Sequence, residues 1–232
     1  MTLLSQEFVR LYLRMTGPAS NGRMLKTRLM ALKGINIIEF AGLAPAPFCG
    51  FILADFGARV VRVDRMNAGF TRDVLCRGKQ SVKIDLKHPL STEIVKRMCK
   101  KFDVLIEPFR PGVMENLGLG PQNLMSLNPC LIYTRLSGFG QNGSMSQTAG
   151  HDINFLAASG ILSTLGHTGS CPFPPINLLA DFAGGGLMCA LGIMMALYER
   201  TSSGLGQVID GNITAGSAYV GKLIYSICNF TE

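Results

Sequence analysis

From residue 34 onward, short runs of apolar residues alternate with segments whose apolar positions recur every three or four residues. Runs that are apolar throughout predict strands covered on both faces, whereas the longer spacing predicts amphipathic helices. The predicted strands are 35–40, 59–65, 81–86, 103–107, 131–136 and 206–210, and the predicted helices are 47–56, 91–101, 113–117 and 121–127. This alternation predicts an α/β fold of the Rossmann-like nucleotide-binding type, with helices on both faces of a parallel sheet.

After residue 150 the pattern becomes more helical. Segments 151–165 and 212–228 predict helices, 167–176 is a proline-rich loop, and 181–201 predicts a long apolar helix. The uncharged part of that helix, 184–198, is shorter than the roughly 20 residues that a bilayer requires. It therefore predicts a buried core helix and no membrane span.

The composition excludes several classes of protein. Charged residues are 16% and hydrophobic residues 47% of the chain, which excludes a disordered polypeptide. The net charge is +7, but the first 29 residues carry +4 of it, five basic side chains against one acidic. The remaining +3 is too little to argue for nucleic acid, though it suits a small anionic ligand. Seven scattered cysteines and only three histidines argue against a structural zinc site, so no metal ligands are predicted.

Two residues at predicted helix starts could act as bases. His151 follows Gly150, and Asp181 follows segment 177–180. The positive end of a helix favours an ionised carboxylate and a neutral imidazole. Such a pair could take a proton from one face of a carbon and return one to the other face. A simple helix cap at Asp181 and an exposed or hydrogen-bonded histidine at 151 are the alternatives that this pattern leaves open.

Basic side chains cluster around the second predicted strand and its exit. They could meet the phosphates of a nucleotide-like ligand, or they could form a solvated basic face. The glycine turn 41–45 follows a strand as a phosphate loop would, but it has neither the GxGxxG nor the Walker spacing. The cluster comprises Arg62, Arg65, Arg72, Arg77, Lys79 and Lys83.

Six stretches of the chain carry a family resemblance. Together they resemble the α-methylacyl-CoA racemases of the family III CoA-transferase superfamily, and the resemblance covers residue 30 to about 220. The motifs are long and specific. They are segments 42–49, 53–65, 107–115, 135–141, 149–155 and 177–186.

The resemblance implies an activity and a set of site residues. Racemases of this family interconvert R and S 2-methylacyl-CoA thioesters, including branched fatty acids and bile-acid precursors, through an enolate. The matching bases are His151 and Asp181, and no metal or redox cofactor is implied, since CoA is part of the substrate. The residues matching the CoA and thioester contacts are Arg65, Lys83, Ile84, Arg110, Gly112, Val113, Met114, Gly150, Asp152, Ile153, Asn154 and Phe155.

The resemblance also implies a domain organisation. Residues 30–215 correspond to the CoA-binding large domain, residues 216–232 to the start of a linker, and residues 1–29 to an extension. The extension is arginine-rich, which suits either a mitochondrial transit peptide or a segment without function. Racemases are longer, so we expect a chain that lacks most of the small domain. The family forms interlocked homodimers, and it implies a peroxisomal or mitochondrial location, although residues 230–232 are no peroxisomal address.

Two other functions remain open from the sequence. A family III CoA-transferase could use Asp152 as its nucleophile. A truncated chain could instead be a catalytically inactive CoA-binding protein. The histidine at 151 favours the racemase, because a transferase has no need of that base.

Overall fold

The computed structural model describes residues 30–66 and 74–228, so the extension 1–29 and Arg72 lie outside the described residues. Within them, six parallel strands form one sheet in the order β3-β2-β1-β4-β5-β6. This order reverses between β1 and β4, as in nucleotide-binding folds, and confirms the predicted fold class. The strands are β1 Asn36–Phe40, β2 Arg59–Asp64, β3 Gln80–Lys83, β4 Val104–Glu107, β5 Ile132–Ser137 and β6 Val208–Asn212.

Helices cover both faces of the sheet and enclose two apolar cores. Consecutive residues of a strand point to opposite faces, so Ile37 enters one core and Ile38 the other. The helices are α1 Pro45–Asp55, α2 Ser91–Cys99, α3 Val113–Asn116, α4 Pro121–Leu127, α5 Asp152–Ala158, α6 Met188–Ser203, α7 Ile213–Val220 and α8 Lys222–Cys228. A 3-10 turn, Ile161–Thr164, follows α5, so the helix predicted over 151–165 ends earlier than expected.

A π-helical segment, Leu178–Leu187, runs directly into α6. Together they form a 26-residue helix, Leu178–Ser203, which by length and composition could cross a membrane. The sequence prediction placed the start of this helix at 181 and argued against a membrane span from the shortness of its uncharged part, 184–198. The whole helix is longer than that argument assumed, so its length does not exclude a span. In the structure one side of this helix packs on the sheet and α1, where Cys189, Ala190 and Ile193 are buried.

Helix α7 packs tightly against the π-helical segment. A Cβ atom on Gly184 would lie 2.6 Å from the backbone nitrogen of Ser217, so glycine is needed for this close approach. Ser217 is 2% exposed. The domain boundary predicted after residue 215 falls inside α7, whose buried residues place this helix in the same packed unit as the sheet.

Three of the five described residues of the predicted basic cluster are bound to acidic side chains. Lys79 Nζ lies 2.7 Å from Glu39 Oε2, and both side chains are almost fully buried beneath α1. The two other pairs are Arg62 with Asp64 and Arg77 with Asp55. A phosphate site formed by the whole cluster was therefore a wrong interpretation, because these cations neutralise carboxylates of the fold itself.

Candidate active site

A cavity of about 610 Å³ lies at the carboxyl ends of the central strands. Leu43–Pro45 follow β1 and Pro108–Arg110 follow β4, so its walls include both sides of the point where the strand order reverses. Ligands bind at this position in open parallel sheets. Both predicted bases, His151 and Asp181, line this cavity.

His151 is the residue immediately before α5. It has extended backbone geometry, and its backbone N–H donates to Asn154 Oδ1 at 2.9 Å. This bond satisfies a donor at the start of the helix and leaves the exposed imidazole at the cavity. Phe155, one turn into α5, forms part of the wall and contacts Phe139 edge to face, with ring centroids 5.1 Å apart.

Asp181 lies in the first turn of the π-helical segment and is 7% exposed. Asn177 Nδ2 donates to its Oδ2 at 2.7 Å. Burial raises the pKa of Asp181 above its ordinary value; the Asn177 hydrogen bond and His151 oppose this shift, and the charge of Asp152 adds to it. The helix start was expected to favour the ionised form, but desolvation outweighs it and moves the pKa towards that of a useful base.

The turn before Asp181 is strained. Ile176 and Asn177 have φ values of 43° and 58°, the left-handed region that a β-branched residue rarely adopts. Asparagine tolerates this geometry, and at this position its side chain reaches Asp181. Strain of this kind persists where the surroundings fix it, and here it places a carboxylate at the cavity.

Asp152 links the two helices that carry the bases. It is 4% exposed, and its Oδ2 accepts the backbone N–H groups of Ala180 at 3.0 Å and of Asp181 at 2.7 Å. Asp152 is not among the residues that line the cavity. The structure therefore contradicts the expectation of a nucleophile at Asp152, because its carboxylate is buried and committed to two backbone donors.

A second cavity, of about 640 Å³, lies at the carboxyl ends of β1, β2 and β3. Phe109 lines both cavities, so the turn after β4 forms a wall that they share. The exposed Arg65 and Lys87 line the second cavity, together with Asp64 and Asp85. A mixed polar and apolar pocket at this end of a parallel sheet suits a nucleotide.

The predicted contact residues divide between the two cavities. Arg110, Gly150, Asn154 and Phe155 line the first with the two bases, and Arg65, Ile84 and Val113 line the second. The remaining predicted contacts line neither cavity; they are Lys83, Gly112, Met114, Asp152 and Ile153. Of these, Met114 is fully buried, and its side chain fills the core.

Sequence reasoning assigned no role to several residues of the site. Asn177 and Ser137 both line the first cavity, and Glu107 lies fully buried behind its wall. Asn177 had a signal, since an asparagine four residues before an acid at a helix start can bond to it. Glu107 also had one, because it ends the apolar run 104–106 in a central strand, where a charge needs a partner.

Comparisons with known proteins agree with this fold. Residues 32–225 match the sequence pattern of CoA-transferase family III. The chain belongs to CoA-transferase family III. Solved structures of similar proteins include Rv3272 from Mycobacterium tuberculosis. It is 30% identical in sequence, has a TM-score of 0.76, and the match covers 84% of this chain and 57% of that one. A CAIB/BAIF family protein from Brucella suis has a TM-score of 0.78 at 29% identity, covering 84% and 56%.

Curated family III relatives include two racemases by name. Alpha-methylacyl-CoA racemase from Homo sapiens is 59% identical over 84% of this chain, and that from Mus musculus is 57% identical over the same share. Succinyl-CoA--D-citramalate CoA-transferase from Chloroflexus aurantiacus is 37% identical over 80% of this chain. The chain spans about half the length of these relatives, 51%, 51% and 50% respectively.

Proposed function

We propose that this chain carries the CoA-binding domain and the two-base site of a racemase acting on 2-methylacyl-CoA thioesters. The observation that supports this most strongly is that His151 and Asp181 line one cavity at the switch point of the sheet. The relatives named alpha-methylacyl-CoA racemase are the most similar in sequence of those described above. No metal or redox cofactor is part of the proposal, and CoA enters as part of the substrate.

The proposed reaction consists of two proton transfers at the α-carbon. The thioester carbonyl acidifies the α C–H bond; one base takes the α-proton, and the electron pair forms an enolate. The other base then donates a proton to the opposite face of the same carbon, and the thioester re-forms. His151 and Asp181 exchange their parts in the reverse direction. The raised pKa of Asp181 favours this, because a carboxyl group that must also donate a proton works best nearer neutral pH.

The second cavity is proposed to hold the nucleotide end of CoA. Arg65 is an exposed cation there, and Arg110 lines the neighbouring cavity beyond Phe109. Guanidinium groups pair well with phosphates, so these two arginines would hold the phosphates on either side of the shared wall. The acyl group would then lie beside the two bases.

Exchange of the α-proton tests the proposal. The chain is incubated with a 2-methylacyl-CoA in heavy water, and deuterium incorporation is measured by mass spectrometry. We expect the wild-type chain to incorporate deuterium from either enantiomer of the substrate. Because each base serves one face of the α-carbon, His151→Ala and Asp181→Ala should each lose inversion and retain exchange of at most one enantiomer. His167→Ala is the matched control, since His167 is exposed in the loop before the π-helical segment. A folded wild-type chain that binds CoA without exchange would overturn the proposal.

A CoA-transferase is the second candidate, and the structure changes its nucleophile. Asp181, the carboxylate that lines the cavity, would attack the thioester carbonyl and release CoA as a thiolate, forming an acyl-aspartyl anhydride. Asp152 is buried and could not make this attack. Incorporation of labelled free CoA into the thioester, dependent on Asp181 and independent of His151, would favour this candidate.

A homodimer and a peroxisomal or mitochondrial location complete the proposal. The outward side of the π-helix and α6 exposes Leu187, Leu191, Met195 and Tyr198, an apolar surface that suits a contact between copies. Sedimentation velocity tests the dimer, and a chain that stays monomeric at high concentration would contradict it. Fluorescent fusions to either end, imaged with organelle markers, test the location.

A further inference from the structure

Three charged side chains connect the turn after β4 to the sheet behind it. Glu107 is the last residue of β4 and Arg135 is its neighbour in register on β5. Glu107 Oε1 accepts from Arg135 Nε at 2.9 Å, and the two terminal nitrogens of Arg135 reach the carboxylate of Glu115 at 2.7 and 3.1 Å. Because Glu115 lies in α3, Arg135 holds both ends of the turn 108–112.

The turn is also fixed from within. Glu107 Oε2 accepts the backbone N–H of Phe109 at 2.8 Å, so the buried carboxylate orients the first residues that leave the strand. Pro111 O accepts from Gln147 Nε2 at 3.1 Å, which joins the turn to the segment leading to His151. Each end and the middle of the turn therefore has a defined partner.

This turn faces the ligand on both sides. Phe109 lines both cavities, Arg110 lines the cavity of the bases, and Val113, at the start of α3, lines the second. None of the three charged residues lines either cavity. A change in them would reach a ligand only by moving the turn.

We infer that the Glu107–Arg135–Glu115 network is a positioning device that sets the affinity for CoA by holding Phe109 and Arg110 in place. This inference rests on the proposed acyl-CoA substrate. Glu107 and Arg135 are positioning residues, because they act through the turn and do not touch the ligand. Their loss is expected to weaken binding of the CoA portion more than it slows proton transfer at His151 and Asp181.

Titration calorimetry with free CoA tests this inference on the whole chain. We expect Glu107→Gln to raise the dissociation constant of CoA about tenfold, since the amide keeps one acceptor oxygen where the carboxyl group uses two, for Arg135 and for the Phe109 N–H. Arg135→Lys should act similarly, because lysine cannot reach both glutamates as the guanidinium fork does. Glu93→Gln is the matched control: Glu93 is an exposed partner of Arg97 on α2, and its loss should leave CoA affinity unchanged.

The kinetic readout separates positioning from general damage. The rate constant of α-proton exchange at saturating thioester is expected to stay within about twofold of wild type, while KM rises about tenfold. Should Glu107→Gln fail to fold, the same measurements are made on Glu115→Gln. The Glu115 side chain is 41% exposed, so this substitution removes a partner of Arg135 from the solvent side of the network. Folded variants that bind CoA as tightly as wild type would overturn the inference.

Binding and turnover also separate the two proposals. A wild-type chain that binds CoA without exchange overturns the racemase activity, while weaker CoA binding by Glu107→Gln still supports the positioning network. A wild-type chain that exchanges the α-proton, with variants of unchanged affinity and KM, supports the racemase and overturns the network. A wild-type chain that binds no CoA overturns both.

Discussion

Replacing Asp152 tests how the two bases are held relative to each other. Its Oδ2 is the acceptor for two backbone N–H groups at the start of the π-helical segment, and the side chain is 4% exposed. Asp152→Ala removes that acceptor. Because each buried N–H group left without a partner costs about 1–3 kcal/mol, we expect the free energy of unfolding to fall by about 4 kcal/mol.

Asp152→Asn is the matched variant. A single oxygen makes both bonds, so the amide oxygen of asparagine can occupy the same place and accept both N–H groups. What is lost is the charge that strengthens these bonds, at a cost of about 1–2 kcal/mol. The asparagine variant should therefore be clearly more stable than the alanine variant and should retain α-proton exchange.

The pH dependence of exchange gives an independent readout. The negative charge of Asp152 raises the pKa of Asp181, so removing that charge should lower it. Asp181 must be ionised to accept a proton, and the acid limb of the kcat/KM profile should therefore move to lower pH in Asp152→Asn.

Urea unfolding of the three chains and exchange in heavy water measure these effects. An alanine variant as stable as wild type would refute the two-bond argument. An asparagine variant that is fully stable but has no activity would instead indicate that the Asp152 carboxylate takes part in the chemistry.

Three further changes probe the fold. Burial raises the pKa of Glu107 to about 7 from 4.5; between these pH values the unfolded chain has released a proton that the folded chain keeps. The free energy of unfolding of wild type, relative to that of Glu107→Gln, should thus fall by about 3 kcal/mol from pH 4.5 to 7. Urea titrations measure it, and a difference between the two chains that does not change with pH would contradict the raised pKa. Gly184→Ala should cost about 1–3 kcal/mol by pressing on the backbone of α7, whereas Gly192→Ala, with 3.6 Å of clearance on the same helix, should not destabilise. Lys79→Met should cost about 3–5 kcal/mol by removing the buried ammonium beside its carboxylate, and Arg97→Met at an exposed pair less than about 1 kcal/mol. Equal losses of stability in Gly184→Ala and Gly192→Ala would refute the packing argument. Equal losses in Lys79→Met and Arg97→Met would refute the argument from burial.

The predicted strands and the order of elements were confirmed because local pattern determines them. A central parallel strand is covered on both faces, so an apolar run such as 104–106 has few alternatives. The start of the long helix was predicted three residues late. A π-helical turn preceded by two residues with positive φ depends on packing against neighbouring helices and has no distinct apolar period.

The basic cluster shows why charge along the chain does not identify a binding site. Lys79 and Glu39 are 40 residues apart, and nothing local to either one indicates their pairing. Once β3 lies beside β2, and α1 covers β1, the two side chains share one buried space. A buried lysine must find a carboxylate, so the fold uses this cation for itself.

The sequence alone determined the fold class, the family resemblance and the two candidate bases, since strand pattern, helix starts and specific motifs are local properties. Only the tertiary structure decided which carboxylate faces the cavity. Asp152 and Asp181 both lie in strong motifs at helix starts, but the crossing of their helices buries Asp152 against two backbone N–H groups and leaves Asp181 at the cavity. The same is true of Glu107: its partner Arg135 comes from β5 and also binds Glu115 of α3, and contacts between elements distant in sequence exist only after the chain has folded.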